Sequence, residues 1–296
     1  MSAPETDWDF ERVAGPFEFT EGPVWDGEAV LFSDMPSDQI YRYDPATGDC
    51  TVAYTDSGAS NGLKLDEEGR LYACEMVGRR VVRYEGGERK VVASHYEGDR
   101  FNSPNDLAIE DGQLWFTDPY YGAPWEPEDK ELELGHRSVY RIDLDDPDLE
   151  PVRVTTDTAQ PNGLLVSPDR ETLYVAEHLP GEDNPMELVA YPIHNDLTVG
   201  DREVLHNFYP HRGIDGMCLD ADGNIVAAAG GAESGPGPLL YVFAPNGRVL
   251  ETHPAPDTAP TNCAFAEEGL STIYLTGGDG GLYRAETDRT GYLGAR

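Results

Sequence analysis

The chain has 296 residues, with 56 Asp and Glu against 21 Lys and Arg, a formal net charge of −35. So acidic a surface repels nucleic acid and anionic membranes, and no apolar run approaches the roughly 20 residues that span a bilayer. Lysine occurs only at Lys64, Lys90 and Lys130, and the acids are spread along the whole length. That pattern predicts a protein adapted to high salt, where screening removes the self-repulsion.

The opening MSAPETDWDFER has neither a basic start nor an apolar stretch, so the expectation is no secretory signal and a cytoplasmic location. Next come paired strand patterns. EGPVWDGEAVLFSD begins at Glu21, NGLKLDEEGRLYACE at Asn61 and NDLAIEDGQLWFTD at Asn105. A long loop, PYYGAPWEPEDKELELGHR, follows, in which Tyr120, Tyr121 and Trp125 offer an apolar wall for a small ligand. Long ordered loops on a rigid scaffold commonly serve as lids or binding walls. The pattern then returns as NGLLVSPDRETLYVAE from Asn162, DGMCLDADGNIVAAAG from Asp215 and NCAFAEEGLSTIYLTG from Asn262. Cys50, Cys74, Cys218 and Cys263 have no CxxC spacing; Cys218 and Cys263 fall in apolar runs and read as small core residues.

Each copy opens on Asn, Asp or Glu, continues through a short apolar run and an acidic or glycine-rich turn, and ends in a second apolar strand. The starts lie 40, 44, 57, 53 and 47 residues apart by subtraction. A strand-rich unit recurring at that period marks propeller blades. The expectation is an all-β fold, a six-bladed β-propeller, as a single domain over residues 1–296. Residues near Trp8 to Val13 would close the ring against the last blade.

In a propeller the first strand of each unit lines the central channel. Its first residue therefore sits at one mouth, which brings Glu21, Asn61, Asn105, Asn162, Asp215 and Asn262 towards one axis. All six offer a side-chain oxygen. Oxygens converging in a dry site are costly, so water or a hard cation would fill it. Asn-Gly before a strand is also ordinary turn chemistry, which explains the glycine but not the retained oxygen. Strand direction brings Asp34, Glu75, Asp118, Glu177 and His178 back to the same mouth. The segments entering the first strands add Arg100, Asn102, His211 and Arg212.

TEGPVW at Thr20, NSPNDL at Asn102, FTDPYYG at Phe116, QPNGL at Gln160 and DGM at Asp215 together resemble the SMP-30/gluconolactonase family over nearly the whole chain. The resemblance implies a six-bladed propeller that binds one divalent cation and hydrolyses sugar lactones. Calcium is the first expectation for the cation, with zinc, magnesium or manganese as alternatives. By motif it implies Glu21, Asn105, Asn162 and Asp215 as metal ligands, with Asp215 also the candidate catalytic base. Arg100, Asn102, Asp118, Tyr121 and His211 are the candidate substrate contacts. Two other functions fit the same fold: a phosphotriesterase-like hydrolase, and a ligand-binding propeller without chemistry.

Overall fold

Short runs of Val, Ile, Leu and aromatics, broken by Gly, Asp and Asn turns, form strands of four to seven residues in most places. The computed structural model describes residues 7–122, 132–179 and 184–294. The six repeats form six antiparallel sheets, five of four strands and one of five, each one blade of the ring. The innermost strands are Thr20–Trp25, Ser60–Leu65, Leu107–Glu110, Pro161–Val166, Ile214–Asp220 and Pro260–Ala266, in blades one to six. Each touches the innermost strand of the blade before and after it, and the sixth touches the first, so the ring is closed.

Burial follows from this geometry. Inner strands are covered on both faces by neighbouring blades, so they lack the in–out alternation of a half-exposed sheet. Thr20–Trp25 and Val30–Asp34 are buried throughout, whereas the outermost strand of that blade, Cys50–Thr55, is largely exposed. The apolar core accordingly lies between blades. Leu165, Tyr174 and Leu188 of blade four pack on Met217, Ala227 and Tyr241 of blade five. Cys218 and Val226 of blade five pack on Cys263 and Phe265 of blade six. Cys218 and Cys263 are free core thiols, their sulfurs 3.5 Å apart. Each fully buried Leu or Phe in these seams contributes about 2 kcal/mol.

Both ends of the described chain are tied into the ring. Glu11–Ala14 is the outermost strand of blade six, with Glu11 opposite Arg284, which closes the ring where the sequence placed the closure. Trp8 stacks on His253 with ring centroids 3.9 Å apart. At the other end Gly291–Tyr292 pairs with Leu219 and Asp220 of the innermost strand of blade five. That segment lines a small cavity with Trp25, Lys64, Val166 and Phe265, at the end of the channel opposite Glu21. Among the described residues no helix is long and apolar enough to cross a membrane.

Candidate functional site

Five of the six innermost strands carry a bulge at the same place, where the strand's opening residues pass the channel axis. The pairing slips between Glu21 and Val24, Ser60 and Leu63, Pro161 and Leu164, Ile214 and Met217, and Pro260 and Cys263. A bulge re-aims the side chains beside it. The glycines that follow Asn61, Asn162 and Asp215 are explained by space rather than by turn geometry. A Cβ on Gly163 would lie 2.6 Å from the carbonyl oxygen of Asp215, and Gly62 and Gly216 are crowded in the same way by Asp106 and Asn262 of the next blade. Each glycine lets the neighbouring blade's axis residue approach.

Four of the six predicted axis residues, with Asp106, join one polar network. Asn162 Nδ2 donates to Asp215 Oδ1 at 2.7 Å. Arg212 Nη2 donates to Asp215 Oδ2 at 2.6 Å, while its Nη1 donates to the carbonyls of Gly230 at 2.7 Å and Pro260 at 3.0 Å. The guanidinium is thus fixed between blades five and six. Glu21 is buried, and its Oε2 accepts the Gly22 N–H at 2.7 Å. Burial pushes the Glu21 carboxyl well above its usual range, and the nearby negative charges of Asp215 and Asp106 push it the same way. Asn262 donates weakly to Asp106 Oδ2 at 3.5 Å and lies close enough to Glu21 to oppose the rise of its carboxyl. Asn105 is buried in the same ring, and its backbone carbonyl accepts the Gly62 N–H at 2.8 Å. Asn61 stands apart, its Nδ2 on the sulfur of Met76 at 3.4 Å.

Asp106, Arg212 and His178 matter more here than their sequence context suggested. Asp106 occupies the slot that glycine fills in four of the other blades. Burial raises its carboxyl to about 6, opposed by Lys64 in the channel. His178 is buried, with its Nδ1 2.8 Å from the carbonyl oxygen of Ile214. That bond places the proton on Nδ1 and leaves the lone pair on Nε2. Burial lowers the basicity of this ring, the Arg212 charge adds to the effect, and Asp215 opposes it.

The substrate contacts expected from the sequence divide sharply. Tyr121 reaches the network. Its hydroxyl is shielded from solvent and makes no hydrogen bond. Its ring stands edge-on to His178, centroids 6.3 Å apart at 84°. Burial, and then the Asp215 charge, push the phenol well above its usual range, while Asn162 lies close enough to act in the opposite sense.

Asp118 is tied to the backbone. It is fully buried, and its two oxygens accept the backbone N–H groups of Asn102 at 2.8 Å and Ser103 at 2.7 Å. Asp34 holds Phe19 N–H, and Glu177 holds Ala159 and Gln160 N–H, in the same manner. These acids clamp the segments entering blades one, three and four. Asn102 is buried, with Nδ2 donating to the carbonyls of Asp118 and His136, while its Oδ1 has no partner. Arg100 turns its guanidinium to the Gly78 carbonyl at 3.2 Å, away from the axis. His211 is exposed beside Gly235 and joins none of the bonds above. Trp125, named above as part of the wall, lies outside the described residues.

Among the described residues no three His, Cys, Asp or Glu side chains come together as a metal cluster. The donors at the axis are instead two carboxylates, Glu21 and Asp215, supplemented by asparagine amides. Hard cations accept both oxygen types. The upward pressure on Glu21 from burial and two neighbouring acids is what such a cation would relieve. The donor chemistry therefore fits a hard divalent ion.

A family profile described as the SMP-30/Gluconolactonase/LRE-like region matches residues 19–279. A gluconolactonase from Zymomonas mobilis is 30% identical, over 90% of this chain and 78% of its own length. A pentonolactonase from Haloferax volcanii is 29% identical, over 91% of this chain and 86% of its own. The solved structure of a gluconolactonase from Xanthomonas campestris superposes with a TM-score of 0.82 at 30% identity, covering 95% of this chain and 90% of that one.

Proposed function

The chain belongs to the SMP-30/gluconolactonase/LRE-like family, and on that premise we propose that it is a metal-dependent lactone hydrolase that opens an aldonolactone such as gluconolactone. Relatives named as a gluconolactonase and a pentonolactonase support an aldonolactone as substrate. The observation that supports the site is the network of Glu21, Asn162 and Asp215, where two carboxylates and an asparagine amide converge in a charge-strained position.

Glu21, Asn105, Asn162 and Asp215 would hold one divalent cation, calcium first, with zinc, magnesium and manganese as the other ions to test. Such an ion supplies Lewis-acid polarisation of the lactone carbonyl. The chain's own groups do the rest. Asn162 and Arg212 each donate to one oxygen of Asp215, so that carboxylate is held in a single orientation. Asp215 is positioned to take a proton from the attacking water. The water oxygen bonds to the acyl carbon and the carbonyl π pair moves onto its oxygen. When that pair returns, the bond to the ring oxygen breaks, and the ring oxygen receives the proton the water gave up. The net change is addition of one water to give the open hydroxy acid. Burial around Glu21 and His178 keeps bulk water from screening these charges.

The test is hydrolysis of glucono-1,5-lactone and a pentono-1,4-lactone in molar KCl, before and after chelation, with each of the four ions restored. Metal-restored turnover is the expected result. Folded, metal-loaded protein inactive on both lactones would overturn the reading.

A further inference from the structure

The phenol of Tyr121 is an anomaly that the site as described does not use. A buried hydroxyl without a partner costs about 1–3 kcal/mol, and such groups are rare enough to need a reason. Tyr121 follows the innermost pair of strands in blade three, three residues past the buried clamp Asp118. Its neighbour Tyr120 is anchored by Gln160, whose Nε2 donates to the Tyr120 carbonyl at 2.6 Å. The ring is held edge-on against His178, which is itself pinned to the Ile214 carbonyl. So the ring is held from two sides, beside a histidine bonded to the residue that precedes Asp215, and the hydroxyl has an unused proton.

We propose that the Tyr121 hydroxyl is a catalytic hydrogen-bond donor to the acyl oxygen of the bound lactone. This rests on the lactonase reading above. The argument is one of position. The ring packs on His178, whose Nδ1 is bonded to the carbonyl of Ile214 next to Asp215, so the group belongs to the side of the site where the reacting centre is assigned. A donor fixed in a buried site needs no reorganisation when negative charge grows on the acyl oxygen. Such a bond is stronger in the transition state than in the bound lactone, so its loss appears in kcat more than in KM. The ligand also removes the anomaly, because the acyl oxygen supplies the acceptor that the protein lacks.

Tyr121→Phe deletes only the hydroxyl and keeps the ring contact with His178. Steady-state kinetics with glucono-1,5-lactone and a pentono-1,4-lactone would be measured beside Tyr72→Phe. Tyr72 is another buried phenol without a partner, on the second strand of blade two. Calorimetric titration with calcium would be run on each protein. The expected result for Tyr121→Phe is a fall in kcat of roughly 10- to 100-fold, with KM within about threefold, unchanged calcium affinity and a melting temperature no lower than the parent's. Tyr72→Phe should match the parent in kcat and KM. Unchanged kcat in Tyr121→Phe would overturn the proposal. So would a raised KM at constant kcat, which would make the hydroxyl a contact to the sugar rather than to the reacting oxygen. A lower melting temperature with unchanged kcat would make it the partner of a structural water. Inactivity of the parent protein is a separate result, which sinks the lactonase reading itself.

Discussion

Gly163→Ala puts the close approach of adjacent blades to a direct test. The new Cβ would lie 2.6 Å from the Asp215 carbonyl oxygen and 3.0 Å from the Gly216 Cα, where ordinary contact begins at 3.4 Å. The strands carrying Asn162 and Asp215 must therefore part by 3.4 − 2.6 = 0.8 Å. Overpacking of this size costs about 1–3 kcal/mol, which leaves the ring folded. The catalytic effect is larger, because Asn162 donates to Asp215 across that very seam. A displacement near 1 Å lowers turnover by roughly 100-fold. The assay pairs lactone kinetics with thermal melting, and uses Gly135→Ala as control, since nothing lies within 4 Å of the Cβ added there. If Gly163→Ala melts and turns over like the control, the glycine is there for its turn and the blade-contact argument fails.

Arg212→Gln removes the donor that fixes Asp215 and ties blade five to blade six, so urea unfolding should show a loss of about 2 kcal/mol. Arg212→Lys should recover little of it, since one ammonium cannot span Asp215, Gly230 and Pro260 together; full recovery would reduce Arg212 to a simple point charge. Burial among Phe208, Phe243 and Tyr241 lowers the basicity of His206. The unfolded chain then binds a proton first, so stability is complete above about pH 6.5 and falls below it. With discount for its partial exposure, the loss by pH 5.5 is under about 1 kcal/mol. His206→Phe should flatten the pH dependence of the melting temperature, and identical slopes would refute the assignment. Finally, with a net charge of −35, the melting temperature should climb between 0.1 and 1 M KCl, as the screening length drops from about 10 to 3 Å. A flat profile would remove the case for salt adaptation.

The blades were legible because the repeat is written in residue type. A polar oxygen and two apolar runs recur six times, with a small residue after the oxygen in five of them, and Glu21, Asn162, Asp215 and Asn262 do meet in one network. What eluded the sequence is the direction in which a side chain turns once its strand has ended. Asp118 follows its strand as expected, but its carboxylate folds back onto two backbone N–H groups, because unpaired amides in the entering loop are the nearest donors. Asn102 and Arg100 are spent on carbonyls for the same reason. Asp106 was hidden by looking like an ordinary departure from Asn-Gly, although a charged side chain in a glycine slot beside the channel was itself the signal. The contact of Cys218 with Cys263 depends on which faces of two blades oppose, a relation that spacing along one chain does not encode.

The strand Glu11–Ala14 belongs to a sheet whose other members come from the far end of the chain, with Glu11 opposite Arg284. At a ribosomal rate of about 5–20 residues per second, the 284 − 11 = 273 residues between them take roughly 14 to 55 s to emerge. Throughout that interval the first strand has no partner, and blade one has no neighbour on its open side. The nascent protein is thus an arc with two raw edges, and blade-by-blade stacking can begin early while the final latch must wait. Its exposure to proteases and its need for chaperones should therefore peak late in synthesis and vanish abruptly when the residues around Arg284 clear the tunnel.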